Sequence, residues 1–408
     1  MKTLRIQFKT EEQKSLVNKF FLTIAVFFEG IGGYAYFAFL PKFLESKGFS
    51  DGAILFTMTW MGVGMALFSW LFGRISDKTG RRKLLFIFSI FASIIVFLLL
   101  YLSDHIIYHC ILNFMRGAFL GIFLPTSNAL FADIVEKENK RKELILNLET
   151  FEVSGVQLSL FSTIRSTGFA IGVLGSSFVI GVFGINVLIL FLIIATTISL
   201  LFAIPVRDIQ KDHLVLEEGK IQEPTRKRAK VKSLLFITVF FRQFGLIPFV
   251  QILINIITDT GFSISTAGII IALNPILQII AMVINGRLVD NPKISEKVLM
   301  AIGFILSALT LLCYAGGSAT GNLFIFILGQ ILLGFGWSCI YTGAVKYIIN
   351  QAPMDRAFYM GLWVTDIQVA KIISYQVFAF LWILFSYTLT LPLAVIFPLI
   401  GFILVYWL

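Results

Sequence analysis

Five ionisable side chains lie within long apolar stretches of the sequence: Glu29, Arg116, Arg242, Asp366 and Lys371. A charge near the centre of a bilayer costs at least a few kcal/mol on insertion scales, so each is a functional candidate by default. A carboxylate at such a depth can carry a proton, and a cation there can pair with it or bind an anionic solute. Glu29 and Arg242 lie equally far into their stretches, roughly 15 Å deep at 1.5 Å per helical residue.

Two roles are open for Glu29. As a proton carrier it would load and release H⁺ while a central cavity alternates between the two sides of a membrane. As a structural group it would stay ionised and pair with Arg116, Arg242 or Lys371. Asp366 is a second candidate for the proton. It lies about 140° of helical turn from Lys371, so these two should face different partners.

A further set of polar and aromatic side chains could contact a solute in the same cavity. A slight excess of cations over carboxylates favours a polar or anionic organic solute over a cationic drug. Amides beside aromatic rings suit small metabolites, although Trp and Tyr are also ordinary at membrane interfaces. The substrate/ion-binding candidates of this kind are Asn113, Gln243, Trp337 and Tyr341, with Asn274, Gln278, Gln330, Gln368 and Gln376 as additional cavity residues.

The elements that hold these residues are membrane helices. Of the 408 residues 58% are hydrophobic and only 14% are charged, whereas a soluble domain carries roughly a quarter charged residues. Spans of about 20 apolar residues predict an all-α polytopic membrane protein with twelve transmembrane helices near 18–41, 52–72, 84–102, 106–132, 163–183, 185–204, 234–257, 265–286, 298–315, 322–346, 358–383 and 386–407.

The charges outside the spans set the orientation. Nearly all Lys and Arg residues in the loops fall on one face, and the opposite face holds only Lys42 and Lys47. The positive-inside rule therefore predicts that both termini are cytoplasmic, in a multi-pass protein of the cell membrane. The formal charge of +10 is then explained by topology and by contact with anionic membrane lipid. Since the basic residues are scattered over many loops, no nucleic-acid partner is expected.

The chain is an internal duplication. At one constant offset Lys19 matches Lys232, the triplet Gly48-Phe49-Ser50 matches 261–263, and Gly73, Arg74 and Asp77 match Gly286, Arg287 and Asp290. The predicted domains are an N-terminal six-helix bundle (1–204), a central cytoplasmic linker (205–233) and a C-terminal six-helix bundle (234–408). The shared in/out sense predicts an axis of pseudo-symmetry along the membrane normal. Helices three, six, nine and twelve lack ionisable residues, so we expect them to face lipid.

One loop carries a specific motif. Gly73-Arg-Ile-Ser-Asp77-Lys-Thr-Gly80-Arg81-Arg82-Lys83 follows the second helix. Gly73 would let two helix backbones approach closely, and Gly80 permits a turn with positive φ. The segment closely resembles the loop signature of the major facilitator superfamily (MFS). The resemblance covers the whole chain and implies the MFS fold, with two pseudo-symmetric six-helix bundles. It also implies a conformational latch formed by Gly73, Asp77, Gly80, Arg81 and Asp133.

Two other family patterns are imperfect. Leu112 and Arg116 resemble the arginine motif of helix four, but the glycines fall at Gly117 and Gly121. Helix five resembles the antiporter motif through its glycines, Gly168, Gly172 and Gly175, yet Val173 stands where that motif has Pro. The second departure favours uptake or symport over efflux by antiport.

The resulting prediction is a secondary active transporter that moves a small polar or anionic organic solute by alternating access, with proton-coupled symport as one mode. A proton-coupled drug or metabolite efflux antiporter and a non-transporting membrane sensor with a transporter-like body are the alternatives. An enzyme is not expected, because His105 and His109 form the single His pair and lack a catalytic motif. Cys110, Cys313 and Cys339 lack metal-ligand spacing. We expect no cofactor, no metal and a monomer.

Overall fold

The computed structural model describes residues 2–79, 81–146, 155–208, 231–289, 291, 293–351 and 356–408. Over these ranges the chain forms fourteen helices: α1 (Lys2–Ser46), α2 (Asp51–Thr79), α3 (Arg82–Leu99), α4 (Ile106–Leu146), α5 (Gly155–Phe183), α6 (Val187–Ala203), α7 (Leu234–Gln251), α8 (Leu253–Asp259), α9 (Ile264–Val289), α10 (Glu296–Thr320), α11 (Leu323–Gln351), α12 (Arg356–Leu384), α13 (Tyr387–Ala394) and α14 (Ile396–Val405).

The twelve predicted spans each correspond to a described helix or to a pair of helices. Two spans are broken: the seventh comprises α7 and α8, and the twelfth comprises α13 and α14. Pro398 explains the second break, because a proline has no N–H with which to bond the carbonyl of Ala394, four residues earlier. Ten of the helices, and the broken twelfth span, are long and apolar enough to cross a membrane, and α6 is a shorter apolar helix. The fold class is confirmed.

The helix contacts repeat between the two halves of the chain. In the first half α1 packs on α5 and α6, α2 on α4, and α3 on α4 and α6. In the second half α7 packs on α12 and α14, α9 on α11, and α10 on α11, α13 and α14. Between the halves α2 packs on α12, and α5 packs on α9. Helix α2 is equivalent to α9, and α5 is equivalent to α12. The two contacts are therefore related to each other by a pseudo-twofold axis. The domain limits at 204 and 234 stay a prediction, since residues 209–230 lie outside the described ranges.

The helices predicted to face lipid carry rows of exposed apolar side chains. Their main contacts are with helices of their own half. In water such rows would be costly, whereas lipid tails solvate them well. The exposed residues include Leu84, Phe88, Phe91 and Ile95 on α3, Leu190, Ile194 and Leu201 on α6, Val298, Ile302, Ile305 and Leu309 on α10, and Leu393, Ile396, Leu399 and Ile403 on α13 and α14.

Candidate functional site

Glu29 pairs with Arg116 in the interior of the first half. Arg116 Nη2 donates to Glu29 Oε1 at 2.8 Å, and both side chains are almost fully buried. The second oxygen of Glu29, Oε2, has no hydrogen-bond partner among the described residues. Of the three cations that the sequence left as partners for Glu29, Arg116 on α4 is the one that pairs with it. A charge-assisted contact of this length is stronger than a neutral hydrogen bond.

Neighbouring helices hold Arg116 in place. Its Nη1 donates to Ser93 Oγ on α3 at 2.6 Å, and its guanidinium lies 5.1 Å from the ring centre of Phe97. Gly33 on α1 leaves room for it, because a Cβ at that position would lie 2.8 Å from Arg116 Nη2. Asn113, one turn away on α4, accepts from the Tyr36 hydroxyl at 2.9 Å. Asn113 therefore braces α1 against α4, and its side chain is fully buried.

Arg242 occupies the position in α7 that Glu29 has in α1. Its Nε donates to Ser307 Oγ at 2.9 Å, and its Nη1 donates to Gln243 Oε1 at 3.1 Å. The guanidinium lies 4.9 Å from the ring centre of Trp337 on α11. No carboxylate lies within 4.0 Å of Arg242 in the described part of the chain. Each half therefore has a buried arginine that donates to a serine hydroxyl. Among the described residues, only the arginine of the first half also pairs with a carboxylate, that of Glu29.

Two adjoining chambers lie in the interior, the first between the halves and the second within the second half. The first, of about 230 Å³, is lined by Glu29, Gly30, Gly33, Tyr34, Phe37, Met61, Met65, Leu120, Phe123, Leu124, Arg165, Ile247, Val250, Gln368 and Lys371. The second, of about 200 Å³, is lined by Arg242, Gln243, Leu246, Ile247, Val250, Asn274, Gln278, Leu333, Trp337, Ile367 and Lys371. Ile247, Val250 and Lys371 line both, so the chambers form one central cavity with walls from both halves.

Lys371 and Asp366 diverge as their helical spacing predicts. Lys371 reaches into the cavity, where its Nζ lies 5.8 Å from the ring centre of Phe37. Asp366 is half-buried on α12, is absent from the walls of both chambers, and has an Oδ2 atom without a partner among the described residues. Tyr341 is also outside these walls, and its ring centre lies 6.1 Å from that of Trp337 in a tilted arrangement. The structure therefore brings Glu29, Arg242, Gln243, Trp337 and Lys371 to the cavity.

Sequence reasoning missed the two polar side chains that the first half adds to the wall beside Glu29. Arg165 lines the first chamber from α5, and Tyr34 lines it from α1, with its ring 4.1 Å from that of Phe169. Arg165 follows the predicted start of the fifth span at residue 163 by less than one turn, which makes it look like an interfacial anchor. A charge inside a span boundary, on a glycine-rich helix, was the signal that could have found it.

The halves meet tightly at one end, here named the closed end and defined by Lys42, Asp51, Asn255 and Thr258. Asn255 Nδ2 donates to Asp51 Oδ1 at 2.9 Å, and Lys42 Nζ donates to Thr258 Oγ1 at 2.8 Å. The backbones also approach closely there, since a Cβ at Gly52 would lie 2.8 Å from the carbonyl oxygen of Ala379. These contacts join α1 and α2 to α8 and α12.

Comparison with known proteins places this arrangement in a family. The sequence profile of the Major Facilitator Superfamily matches residues 22–250 and 233–408. The chain belongs to the Major Facilitator Superfamily. It is 23% identical over 365 residues to multidrug resistance protein 2 of Bacillus subtilis strain 168, covering 86% of this chain and 84% of that protein. It is 23% identical over 327 residues to the multi-drug resistance efflux pump PmrA of Streptococcus pneumoniae, covering 77% and 76%.

Solved structures of transporters share the fold of this MFS protein. The nucleoside transporter NupG superposes with a TM-score of 0.72 at 12% identity, over 96% of this chain and 98% of that one. The POT family transporter PepTSo superposes with a TM-score of 0.66 at 13% identity, over 96% and 97%. At these identities the likeness concerns the fold.

The described residues of the MFS loop motif lie at the other end of the molecule, here named the basic end and defined by Gly73, Arg81 and Gly286. Gly80 lies outside the described residues, and the side chain of Asp77 is likewise not described. Arg81 is exposed at the start of α3. A Cβ added at Gly73 or at Gly286 would meet no atom of the described residues within 4 Å. The prediction that two helix backbones approach closely at Gly73 is therefore wrong for this conformation, because the halves meet at the closed end instead.

Asp133 has a partner in its own half. Arg82 Nη1 lies 2.6 Å from Asp133 Oδ2 and also donates to the carbonyl oxygen of Ala129 at 3.0 Å. This ion pair joins α3 to α4 at the basic end. It keeps Asp133 beside the motif loop, as the family resemblance implies, but through the neighbouring arginine of the motif. The latch role of Asp133 stays a prediction.

The glycines of the imperfect motifs have a packing role. A Cβ at Gly168 would lie 2.3 Å from the carbonyl oxygen of Phe27, and one at Gly172 equally close to that of Ile31. On α4, a Cβ at Gly117 would lie 2.0 Å from the carbonyl oxygen of Met61. Small residues let membrane helices approach this closely. These contacts fix α1 on α5 and α2 on α4, and so position Glu29 and Arg116.

Proposed function

We propose that this MFS transporter is a secondary active transporter of a small polar or anionic organic solute, working by alternating access in the cell membrane with both termini cytoplasmic. The observation that carries the proposal is the central cavity, whose walls come from both halves and hold Glu29, Arg242 and Lys371. Contacts between the halves at the closed end would break, and contacts at the basic end would form, when the halves rock about this site. The transporter acts as a monomer.

We propose further that Glu29 carries a coupling proton. One of its oxygens accepts from Arg116, while the other lacks a partner among the described residues and the side chain forms part of the cavity wall. Because the side chain lies in the cavity wall, a proton from the cavity would have only a short path to that oxygen. Protonation would weaken the contact with Arg116 and change the net charge of the cavity by one unit, which ties solute binding to the proton.

Asp366 is the second candidate for the proton. It is half-buried and has an unpartnered oxygen in the described part of the chain, but it stands outside both chambers. A proton there would act on the solute through α12, on which Lys371 also lies. Because both carboxyls have an uncharged isostere, the matched variants Glu29→Gln and Asp366→Asn separate the two roles.

The direction of transport has two candidates. Symport into the cell follows from the departure at Val173 from the antiporter motif. Proton-coupled efflux by antiport is favoured by the relatives, which are named as multidrug resistance and efflux proteins. Both modes use the same cavity and the same coupling carboxyl, so they differ only in the sign of the flux relative to an imposed pH gradient.

The test is a screen of solute classes in proteoliposomes, with and without a pH gradient, on the wild type and on both variants. We expect gradient-driven accumulation in the wild type, and its loss in Glu29→Gln with exchange of labelled for unlabelled solute retained. Retained exchange shows that the variant is folded and binds solute. Gradient-driven flux that survives in Glu29→Gln and disappears in Asp366→Asn would assign the proton to Asp366. Absence of flux for every class, from a monodisperse protein, would contradict transport and favour a sensor.

A further inference from the structure

The central cavity contains more positive than negative charge. Arg242, Lys371 and Arg165 all form part of its walls. The single carboxylate in the same walls is Glu29, and its charge is already balanced by Arg116 at 2.8 Å. In the described part of the chain, no carboxylate lies within 4.0 Å of these three wall cations. A charge removed from water and left unpaired is costly, so this arrangement calls for an anion that the protein does not itself supply.

The second chamber, called the polar chamber below, holds Arg242 and Lys371, and the orientation of its arginine is set by neighbouring side chains. The Arg242 guanidinium is held by Ser307 and Gln243 and lies against Trp337, so its orientation is fixed before a solute arrives. Lys371 forms part of the same chamber wall from α12. Guanidinium and ammonium groups bind carboxylate, sulfonate and phosphate oxygens well, and a guanidinium held in one orientation loses little entropy in doing so.

The polar chamber also contains an uncharged hydrogen-bond acceptor, the side-chain oxygen of Asn274. Asn274 lies in its wall, and the side-chain oxygen of Asn274 is buried without a hydrogen-bond partner among the described residues. Buried polar atoms in proteins are nearly always bonded. This oxygen is therefore free to accept from an O–H or N–H group of a solute.

The first chamber is mostly apolar. Its wall includes the polar side chains of Glu29, Arg165, Gln368 and Lys371, but most of the wall is formed by aromatic, thioether and branched side chains, including Phe37, Met61, Met65 and Phe123. Methionine side chains adapt to bodies of different shape. Ile247 and Val250 lie between this chamber and the polar one, so a molecule longer than one chamber must pass over an apolar step.

We propose that the solute is an amphipathic organic anion. Its acidic head is held by Arg242 and Lys371 in the polar chamber, and its aromatic or alkyl body lies in the apolar chamber of the first half. The assignment rests on the proposed transport function and narrows it to a substrate class. It excludes a lipophilic cation, for which the cavity has no unpaired carboxylate within its described walls. The two chambers together fall in the range of roughly 300–1,000 Å³ that is typical of small-molecule sites.

The test uses four probes that share a body or a head: 1-naphthoate, 1-naphthylmethanol, 1-naphthylmethylammonium and acetate. Binding is measured on the purified full chain by ligand-induced thermal shift, and exchange is measured in proteoliposomes. We expect 1-naphthoate to bind at least tenfold more tightly than each of the other three. Arg242→Gln and Lys371→Gln should each weaken 1-naphthoate by a factor of about 10 to 100, as for loss of a charged hydrogen bond. Binding of 1-naphthylmethanol should be unchanged in both.

The control variants separate charge from folding. Lys293→Gln removes an exposed cation far from both chambers and should bind 1-naphthoate like the wild type. Arg242→Lys keeps the charge and should retain more affinity than Arg242→Gln. If 1-naphthylmethylammonium binds or exchanges as well as 1-naphthoate, the substrate class is wrong although transport stands. If 1-naphthoate affinity is the same in wild type, Arg242→Gln and Lys371→Gln, the assignment of the head group is wrong. If neither the four probes nor the broader screen gives any flux, the transport function itself fails.

Discussion

A disulfide across the closed end should stop transport. In a cysteine-free background we would replace Gly181 on α5 and Ser265 on α9 with cysteine, which places one thiol in each half. A Cβ built at Gly181 lies 3.0 Å from Ser265 Cβ, whereas the two Cβ atoms of a disulfide are about 3.8 Å apart. The helices therefore need to separate by only about 0.8 Å for the bond to form. Opening of the closed end requires a much larger separation, which the bond forbids.

The expected result is a loss of solute exchange in proportion to the cross-linked fraction, with full recovery after reduction. The fraction is read from thiol labelling of the denatured protein, and exchange is read in proteoliposomes from the same preparation. A matched control exists within the second half, in a background that keeps Cys313 as its one native cysteine: a Cβ at Gly329 on α11 would lie 3.2 Å from the Cys313 Cβ on α10. Because both helices belong to one half, a Gly329→Cys bond to Cys313 should leave exchange intact. Undiminished exchange from fully cross-linked 181–265 protein would refute the rocking of the two halves.

Two further predictions concern the helix packing around the buried ion pair. Gly172→Leu should prevent α5 from packing on α1, because even a Cβ at Gly172 lies 2.3 Å from a backbone oxygen. The loss of folded protein is measured by size-exclusion chromatography. A monodisperse Gly172→Leu protein that still exchanges solute would contradict the tight contact. Arg116→Met should destabilise the protein by about 3–5 kcal/mol, since it leaves Glu29 buried and unpaired. The double variant with Glu29→Gln should recover most of that loss in thermal unfolding, and equal midpoints for the single and double variants would show that the pair is not coupled.

The fold could be predicted from the sequence because the apolar spans are long and the same pattern occurs in both halves. Apolar length fixed the spans, and the missing charges in every third span predicted the lipid-facing helices. Depth in the helix placed Glu29 and Arg242 at equivalent positions, and the helical angle separated Asp366 from Lys371. Each of these inferences uses only one helix or one internal comparison, so no knowledge of how helices pack was needed.

The partners within the site depend on packing between helices and could not be predicted in this way. Glu29 had three candidate cations, and the choice of Arg116 follows from the glycines that seat α1 on α5 and α2 on α4, and from the room that Gly33 leaves for the guanidinium. Asp133 pairs with Arg82 because the start of α3 lies against α4, a contact that no spacing reveals. The neighbours of Gly73 depend on which end of the molecule is closed, and a sequence does not specify one conformation of a protein that has two.

The break at Ile252 has a consequence for how the closed end can separate. The first-half equivalent, α1, runs through Pro41 without interruption to Ser46, whereas α8 is a seven-residue segment beyond a joint. It carries Asn255 and Thr258, which bond α2 and α1, and Asp259, which accepts from Tyr387 on α13 at 2.7 Å. If α8 swings about the joint at Ile252, the hydrogen bonds of Asn255 and Thr258 to the first half break before either six-helix bundle rotates. Unlocking would then precede rotation, and a compound bound against α8 would block the first step without contacting the solute site.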